Sequence, residues 1–267
     1  MSATAAGAAT HTTPAPAGAI RNALSLARRN LLHVKTDPEQ IIGLTMQPIM
    51  FLVLFVYVLG GAISGSSREY LQFALPGILV QSISFTGFST VLGLNKDFEK
   101  GIIDRFRSLP MARSAVVAGR IIGDGVRVIW STFIIVAFGM IIGFRFHEGV
   151  LAGVAGALFV IAFGISVCWP MAVVGIRAKS PESVNTAGFM VILPLTFGSN
   201  VFVPTATLPG WLQAFVEVNP VSKVADAARG LLTGGAVAAP TTAALLASAV
   251  VVAVFGPLAV TLYRKRT

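Results

Sequence analysis

Val150-Leu-Ala-Gly-Val-Ala-Gly-Ala-Leu-Phe-Val-Ile-Ala-Phe-Gly-Ile-Ser-Val-Cys-Trp-Pro-Met-Ala-Val-Val-Gly-Ile176 runs without a single charged residue. As a helix it is long enough to cross a hydrocarbon core about 30 Å thick, which takes roughly 20 apolar residues. Five more stretches share its character: Ile41–Gly61, Tyr70–Leu94, Ile121–Phe144, Val184–Val203 and Thr241–Tyr263. Of these only Ile121–Phe144 holds charges, Asp124 and Arg127. Hydrophobic residues make up 55% of the 267 and charged ones 12%, well below the roughly 25% usual in soluble domains. The composition describes an all-α, polytopic membrane protein with six transmembrane helices.

The net charge of +9 invites a nucleic-acid reading, so the placement of the basic residues decides it. With the N-terminus inside, only Arg68, Arg145, Lys223 and Arg229 fall outside, against sixteen Lys and Arg on the inner side. That asymmetry is the positive-inside pattern of a plasma-membrane protein with both termini in the cytoplasm. The basic excess marks contact with an anionic leaflet, and no nucleic-acid partner is implied. The lone Cys168 excludes an intramolecular disulfide and is expected to pack inside its span. Residues 1–17, rich in Ala, Thr and Pro, lack the basic-then-apolar pattern of a secretory signal and are expected to form a disordered cytoplasmic tail.

The remaining 18–267 form one membrane domain. Within it, residues 20–36 form an amphipathic segment. Ile20, Ala23, Leu24, Ala27, Leu31 and Val34 recur at helical steps while Arg21, Arg28, Arg29 and Lys35 fall mainly elsewhere. This predicts an interfacial helix on the cytoplasmic headgroups, ended by Asp37-Pro38. Ile63–Glu69, Arg145–Gly149 and Ala178–Ser183 are short connections, while Asn95–Arg120 inside and Pro204–Pro240 outside are the two substantial ones.

Several chemistries have no residues to carry them. His11, His33 and His147 all lie outside the apolar stretches, so no intramembrane histidine base or metal pair exists. No H-E-x-x-H, G-x-S-x-G or G-x-x-x-x-G-K-[ST] motif occurs, which removes the phosphate loop with which ATP would be bound and hydrolysed. Asp124 and Arg127, at i and i+3, can touch on one helix face. Charges at membrane depth cost about 2.5–3.5 kcal/mol each, which makes them functional candidates. Their place near the cytoplasmic boundary leaves open a structural ion pair whose side chains reach the membrane edge.

The inner connection is the most specific part. In Asn95-Lys-Asp-Phe-Glu-Lys-Gly-Ile-Ile-Asp-Arg-Phe-Arg-Ser-Leu-Pro110, Phe98, Ile102, Ile103, Phe106 and Leu109 form an apolar stripe within a charged rim, and Pro110 stops the helix. Periodicity alone is equally consistent with docking into a groove of a soluble partner and with a solvated or membrane-surface helix. In the outer connection, Trp211, Leu212, Phe215 and Val216 supply an apolar face and Asn219-Pro220 breaks it. A second short helix then runs over Val221–Leu232 and ends at Gly234-Gly235.

The run Asp97–Met111 with Ala112-Arg-Ser114 and Gly119-Arg120 resembles the cytoplasmic loop of ABC-2 type permeases, in particular the daunorubicin/doxorubicin-resistance export group. Asn219-Pro220, Ala225-Asp226 and Arg229-Gly-Leu-Leu-Thr-Gly234-Gly235 resemble the signature that precedes the last span of that family. The likeness runs from about Ile20 to the C-terminus. It implies a coupling helix at 97–110, with Asp97, Phe98, Glu99, Gly101, Ile102, Arg105, Phe106, Leu109 and Pro110 against an ATPase. It also implies an outer re-entrant helical hairpin at 204–236, marked by Asn219, Pro220, Arg229 and Gly234.

The resemblance further implies the membrane subunit of an ATP-driven exporter of amphipathic drug-like or lipid-like molecules. It would pair with a second permease copy or paralogue and with two separate ATPase subunits. This chain would hold no cofactor, because ATP and Mg belong to the ATPases. The rivals are a non-transporting membrane scaffold or assembly factor, and a secondary transporter, which the lack of midplane carboxylates disfavours.

The topology is open to test in a Cys168→Ala background. Lys100→Cys and Lys179→Cys should be shielded from an impermeant thiol reagent in intact cells, and Ser66→Cys and Thr207→Cys should label. Labelling at position 100 would reverse the orientation.

Overall fold

A computed structural model of the chain describes residues 38–99, 113–178, 181–235 and 237–266; the described residues are helical apart from short turns. The tail at 1–17, the interfacial helix expected at 20–36 and residues 100–112 of the inner connection lie outside the described residues. In chain order the helices are α1 (Pro38–Leu54), a π-helical turn (Phe55–Leu59), α2 (Gly60–Ser64), α3 (Ser67–Glu99), α4 (Arg113–Ile141), α5 (Gly149–Arg177) and α6 (Pro181–Phe197). A 3-10 turn (Thr205–Thr207), α7 (Gly210–Val218), α8 (Pro220–Thr233) and α9 (Ala238–Arg266) complete the order.

Among the described residues, five helical segments are long and apolar enough to cross a membrane: Ile42–Ser64, Ser67–Leu92, Val117–Ile141, Gly149–Arg177 and Ala238–Tyr263. The stretch expected at Val184–Val203 behaves differently. Its helix, α6, has 17 residues and stops at Phe197, with its apolar part over Thr186–Phe197. The physical reason lies downstream. The Asn219 amide donates to the carbonyls of Leu195 (2.8 Å) and Gly198 (3.0 Å). It supplies partners that a helix end lacks and lets the chain turn away. Helices also extend into the segment read as the inner connection: α3 continues to Glu99 and α4 already starts at Arg113.

α3 is the axis of the bundle. It touches α1, α2, α4, α5, α6 and α8, and 76% of its most apolar window is buried, against 17% for the first and last spans. Leu71, Leu75, Ile78, Leu79 and Ile83 of α3 pack with Ile135, Phe144, Val160 and Leu232 in one continuous core. A second cluster joins Val117 and Ile121 of α4, Cys168, Ala172 and Ile176 of α5, and Ala259 and Tyr263 of α9.

In lipid no hydrophobic force draws one apolar helix to another, so small residues that admit close backbone approach must do so. Gly164 of α5 faces Ile83 and Val128, and a Cβ on Gly175 would stand 3.0 Å from the carbonyl oxygen of Val91. A Cβ on Gly77 would press on the carbonyl oxygen of Val201 and lie 3.0 Å from its Cα. Those atoms are backbone and cannot swing aside. Gly77→Ala should therefore cost about 1–3 kcal/mol, the range for overpacking a core. It should lower the thermal midpoint of the detergent-solubilised chain. Gly61→Ala, with open space around its Cβ, should be neutral or slightly stabilising. Indistinguishable midpoints for the two variants would refute the close approach of α3 to the 201 turn.

Candidate functional site

Among the described residues, two clusters built on ion pairs interrupt the apolar bundle, one toward each end of α3. Near the end of α3 that leads into the 95–120 connection, Asp124 of α4 is 1% exposed and holds three partners. Arg127 donates Nη1 to its Oδ1 (2.5 Å), Arg120 donates Nε to Oδ2 (3.2 Å), and the Thr90 hydroxyl of α3 donates to Oδ2 (2.7 Å). The i, i+3 contact expected from spacing is made, and the pair lies buried between helices, not at an exposed rim. Arg120 also falls on this face because it precedes Asp124 by four residues. The carboxylate thus spans α4 and ties it to α3.

Those same two helices carry the ends of the inner connection. Asp97, Phe98 and Glu99 belong to the last turn of α3, which ends seven residues past the close of its apolar span at Leu92. The chain resumes as α4 at Arg113, four residues before its apolar span begins at Val117. Gly101, Ile102, Arg105, Phe106, Leu109 and Pro110 lie outside the described residues.

The second cluster is built on α8. Asn219 caps this helix by accepting from the Val221 N–H (2.9 Å), and Pro220 follows at the first helical position, where its missing N–H costs nothing. Further along α8, Arg229 satisfies a run of carbonyls. Its Nη2 donates to Asn200 (2.6 Å) and Val201 (3.0 Å), its Nε to Phe73 (3.1 Å), and its Nη1 to the carboxylate of Asp226 (3.1 Å). The guanidinium also lies 4.0 Å over the Phe73 ring. Asn200 donates its amide to Asp226 (2.7 Å), and the Tyr70 hydroxyl donates to Phe202 (2.8 Å). Burial pushes the Arg229 guanidinium down to about 10 while Asp226 pulls it back up, so the group stays charged at neutral pH. Gly234 closes α8 at φ +90°, a conformation that glycine takes without strain. The His147 N–H reaches the Leu232 carbonyl beside it (3.3 Å).

A family model described as ABC-2 type transporter matches residues 21–233, which include both clusters and the inner connection. The chain belongs to the ABC-2 type transporter family. It is 41% identical over 253 residues to the daunorubicin resistance ABC transporter permease protein DrrB1 of Streptomyces coeruleorubidus, covering 95% of this chain and 89% of that one. It is 25% identical over 222 residues to the probable doxorubicin resistance ABC transporter permease protein DrrC of Mycobacterium tuberculosis (83% of this chain, 80% of that one). It is 29% identical over 193 residues to the doxorubicin resistance ABC transporter permease protein DrrB of the same species, covering 69% and 66%. The permease is accordingly a multi-pass membrane protein and the membrane subunit of an ABC exporter, from a family that works with ABC ATPase partners.

Of the site residues read from sequence, Asn219, Pro220, Arg229 and Gly234 of this permease share α8 and its caps, and Asp124 meets Arg127. Arg120 was within reach of the sequence through its i, i+4 spacing to Asp124. Tyr70, Phe73 and Thr90 of α3 and Asn200 of the turn after α6 were not, because each meets a residue of another element far away in the chain.

Arg229 carries the sharpest prediction in this region. Lysine keeps the charge but loses the planar fork that reaches four acceptors at once. Arg229→Lys should cost about 1.5–3 kcal/mol, the value of hydrogen bonds to a charged group, and lower the thermal midpoint of the solubilised permease. Lys223→Ala, on the same helix, should stay within about 0.5 kcal/mol. Equal midpoints for Arg229→Lys and the unaltered permease would show that the fork holds nothing.

Proposed function

We propose that this permease moves amphipathic drug-like or lipid-like molecules out of the cell, driven by two separate ATPase subunits that bind the ATP and Mg. A second permease copy or paralogue completes the pathway, because one bundle of six helices is a thin wall around a large solute. In this reading α6 is the fifth of six crossings, with both termini cytoplasmic, and α7–α8 form an outer hairpin that dips back into the membrane. The burial of Val221, Val224, Ala225, Ala228 and Leu232 against the bundle supports that hairpin.

One observation carries the coupling mechanism. α3 and α4 both outrun their apolar spans on the same side and are joined at the base by the Thr90–Asp124 bond. The seven residues after Leu92, up to Glu99, extend α3 by about 10 Å at the helical rise. The segment 100–112 is thereby slung between two helical stalks that lead straight into the bundle. A helix at 97–110 seated in an ATPase groove would push on both stalks when the ATPases close. In that role Phe98, Ile102, Phe106 and Leu109 are the apolar anchors, Asp97, Glu99 and Arg105 the polar rim, Gly101 and Pro110 the turn and the stop.

The cargo assignment draws on the aromatic and aliphatic character of the spans, where polar groups are sparse: Gln47 is exposed, while Gln81, Ser84 and Thr86 pack inside the bundle. The names of the relatives, which are resistance proteins for daunorubicin and doxorubicin, support the same class.

Export of an amphipathic fluorescent dye by cells making the permease with its ATPase tests the proposal. Replacing the phosphate-loop lysine of the ATPase should abolish export. Phe106→Ala should do so too while leaving the permease inserted, since losing an interface anchor costs roughly 2 kcal/mol or more, about a thirtyfold weaker docking. Equal dye retention with and without a working ATPase would overturn the cargo. Full export and full ATPase co-purification by Phe106→Ala would overturn the docking.

A further inference from the structure

Only four of the twenty basic residues fall on the outer side in the positive-inside assignment, and the fold brings two of them together. A cleft of about 320 Å3 opens between the turn that precedes α3 and the turn that links α4 to α5. Ser66, Arg68, Glu69, Gln72, Arg145 and His147 line it. Gln72 joins the two turns: its amide donates to the Gly143 carbonyl (3.2 Å) and its oxygen accepts from the Arg145 N–H (3.3 Å). Arg145 is held by the last carbonyls of α4 and the turn beyond it, with Nη1 donating to Met140 (2.8 Å) and Phe144 (2.7 Å). Its Nε and Nη2 have no partner among the described residues. Arg68 and Glu69 are neighbours in sequence yet do not pair, and neither meets an opposite charge among the described residues. The cleft therefore offers guanidinium donors and a separate carboxylate, both unclaimed.

Depth narrows the ligand. Arg68 stands one residue inside the apolar span that begins at Ser67, and Arg145 four residues beyond the span that ends at Ile141. Both are thus at the level of lipid headgroups. Guanidinium groups match phosphate oxygens in geometry and charge, whereas the carboxylate beside them disfavours a ligand that is only anionic.

We propose that this cleft binds a phosphate ester that also carries an ammonium group, the chemistry of a phosphatidylethanolamine headgroup. The phosphate sits between Arg68 and Arg145 with His147 beside it, and the ammonium faces Glu69. The site requires the membrane reading but neither the cargo nor the ATPase coupling proposed above, so it stands or falls separately from them.

The intact permease–ATPase complex in detergent can be titrated with short-chain phosphatidylethanolamine, short-chain phosphatidylglycerol and soluble phosphoethanolamine, with binding followed by thermophoresis. Phosphatidylethanolamine should bind the unaltered complex. Arg68→Ala should weaken it at least tenfold, and Arg145→Lys should weaken it by less. Glu69→Gln should weaken phosphatidylethanolamine while leaving phosphatidylglycerol unchanged or tighter. Arg68 and Glu69 are exposed, and unchanged thermal midpoints would verify that these variants fold. Lipid binding that soluble phosphoethanolamine does not displace assigns the site to the bilayer. Equal affinity for the soluble ester assigns it to free phosphate esters of the same chemistry. Failure of both the lipid and the ester to bind would overturn the proposal, as would affinities unaffected by Arg68→Ala or a Glu69→Gln change that is identical for both lipids.

Discussion

A chain that leaves the helix inside an apolar bundle must find partners for its freed carbonyls, and in this permease Arg229 supplies them. The carbonyls of Asn200 and Val201 belong to the turn after α6 and that of Phe73 to α3, and one guanidinium donates to all three. Asn219 does the same for Leu195 and Gly198 while capping its own helix. Each unsatisfied backbone group that is cut off from water costs several kcal/mol, so buried irregular backbone survives only where protein groups reach it. The end of α6, the turn at 198–204 and the packed face of α8 all meet at these two side chains.

α3 connects that junction to the opposite end of the bundle. Tyr70, Phe73 and Gly77 meet the Arg229 cluster, and Thr90 meets Asp124 much further along the same helix. The helix between them is packed on most of its surface by α4, α5, α6 and α8. This helix is thus held by polar contacts toward both ends and by a close-packed core between them. The buried Asp124 cluster also makes relative sliding of α3 and α4 expensive. Removing one member of a buried charge pair leaves the other uncompensated, at a cost of about 3–5 kcal/mol.

The peripheral helices answer to a different solvent. α1, α4, α9 and the π-helical turn expose Met46, Met50, Tyr57, Phe133, Leu246 and Val250, side chains that would be an aggregation hazard in water and are at ease against lipid. Pro48, Pro76, Pro170, Pro194 and Pro257 stand inside helices, a placement that helices of membrane proteins tolerate more readily than helices in water.

Residue sequence alone determined the class of the molecule, since apolar length against bilayer thickness is a one-dimensional comparison. It also located five apolar spans to within a few residues, though not the ends of the helices that carry them, and it located the break at Asn219-Pro220 and the stop at Gly234, because caps, prolines and glycines act on their immediate neighbours. The Asp124–Arg127 contact followed from spacing on one helix. Only the tertiary structure decided that Val184–Val203 would not be one continuous helix, because the side chain that receives the end of α6 lies more than twenty residues later in the chain. It alone brought Thr90 to Asp124, Phe73 and Asn200 to Arg229, and Arg68 to Arg145. Hydrogen bonds between helices depend on their rotation and depth, which side-chain shape and close glycine packing set and no local periodicity records.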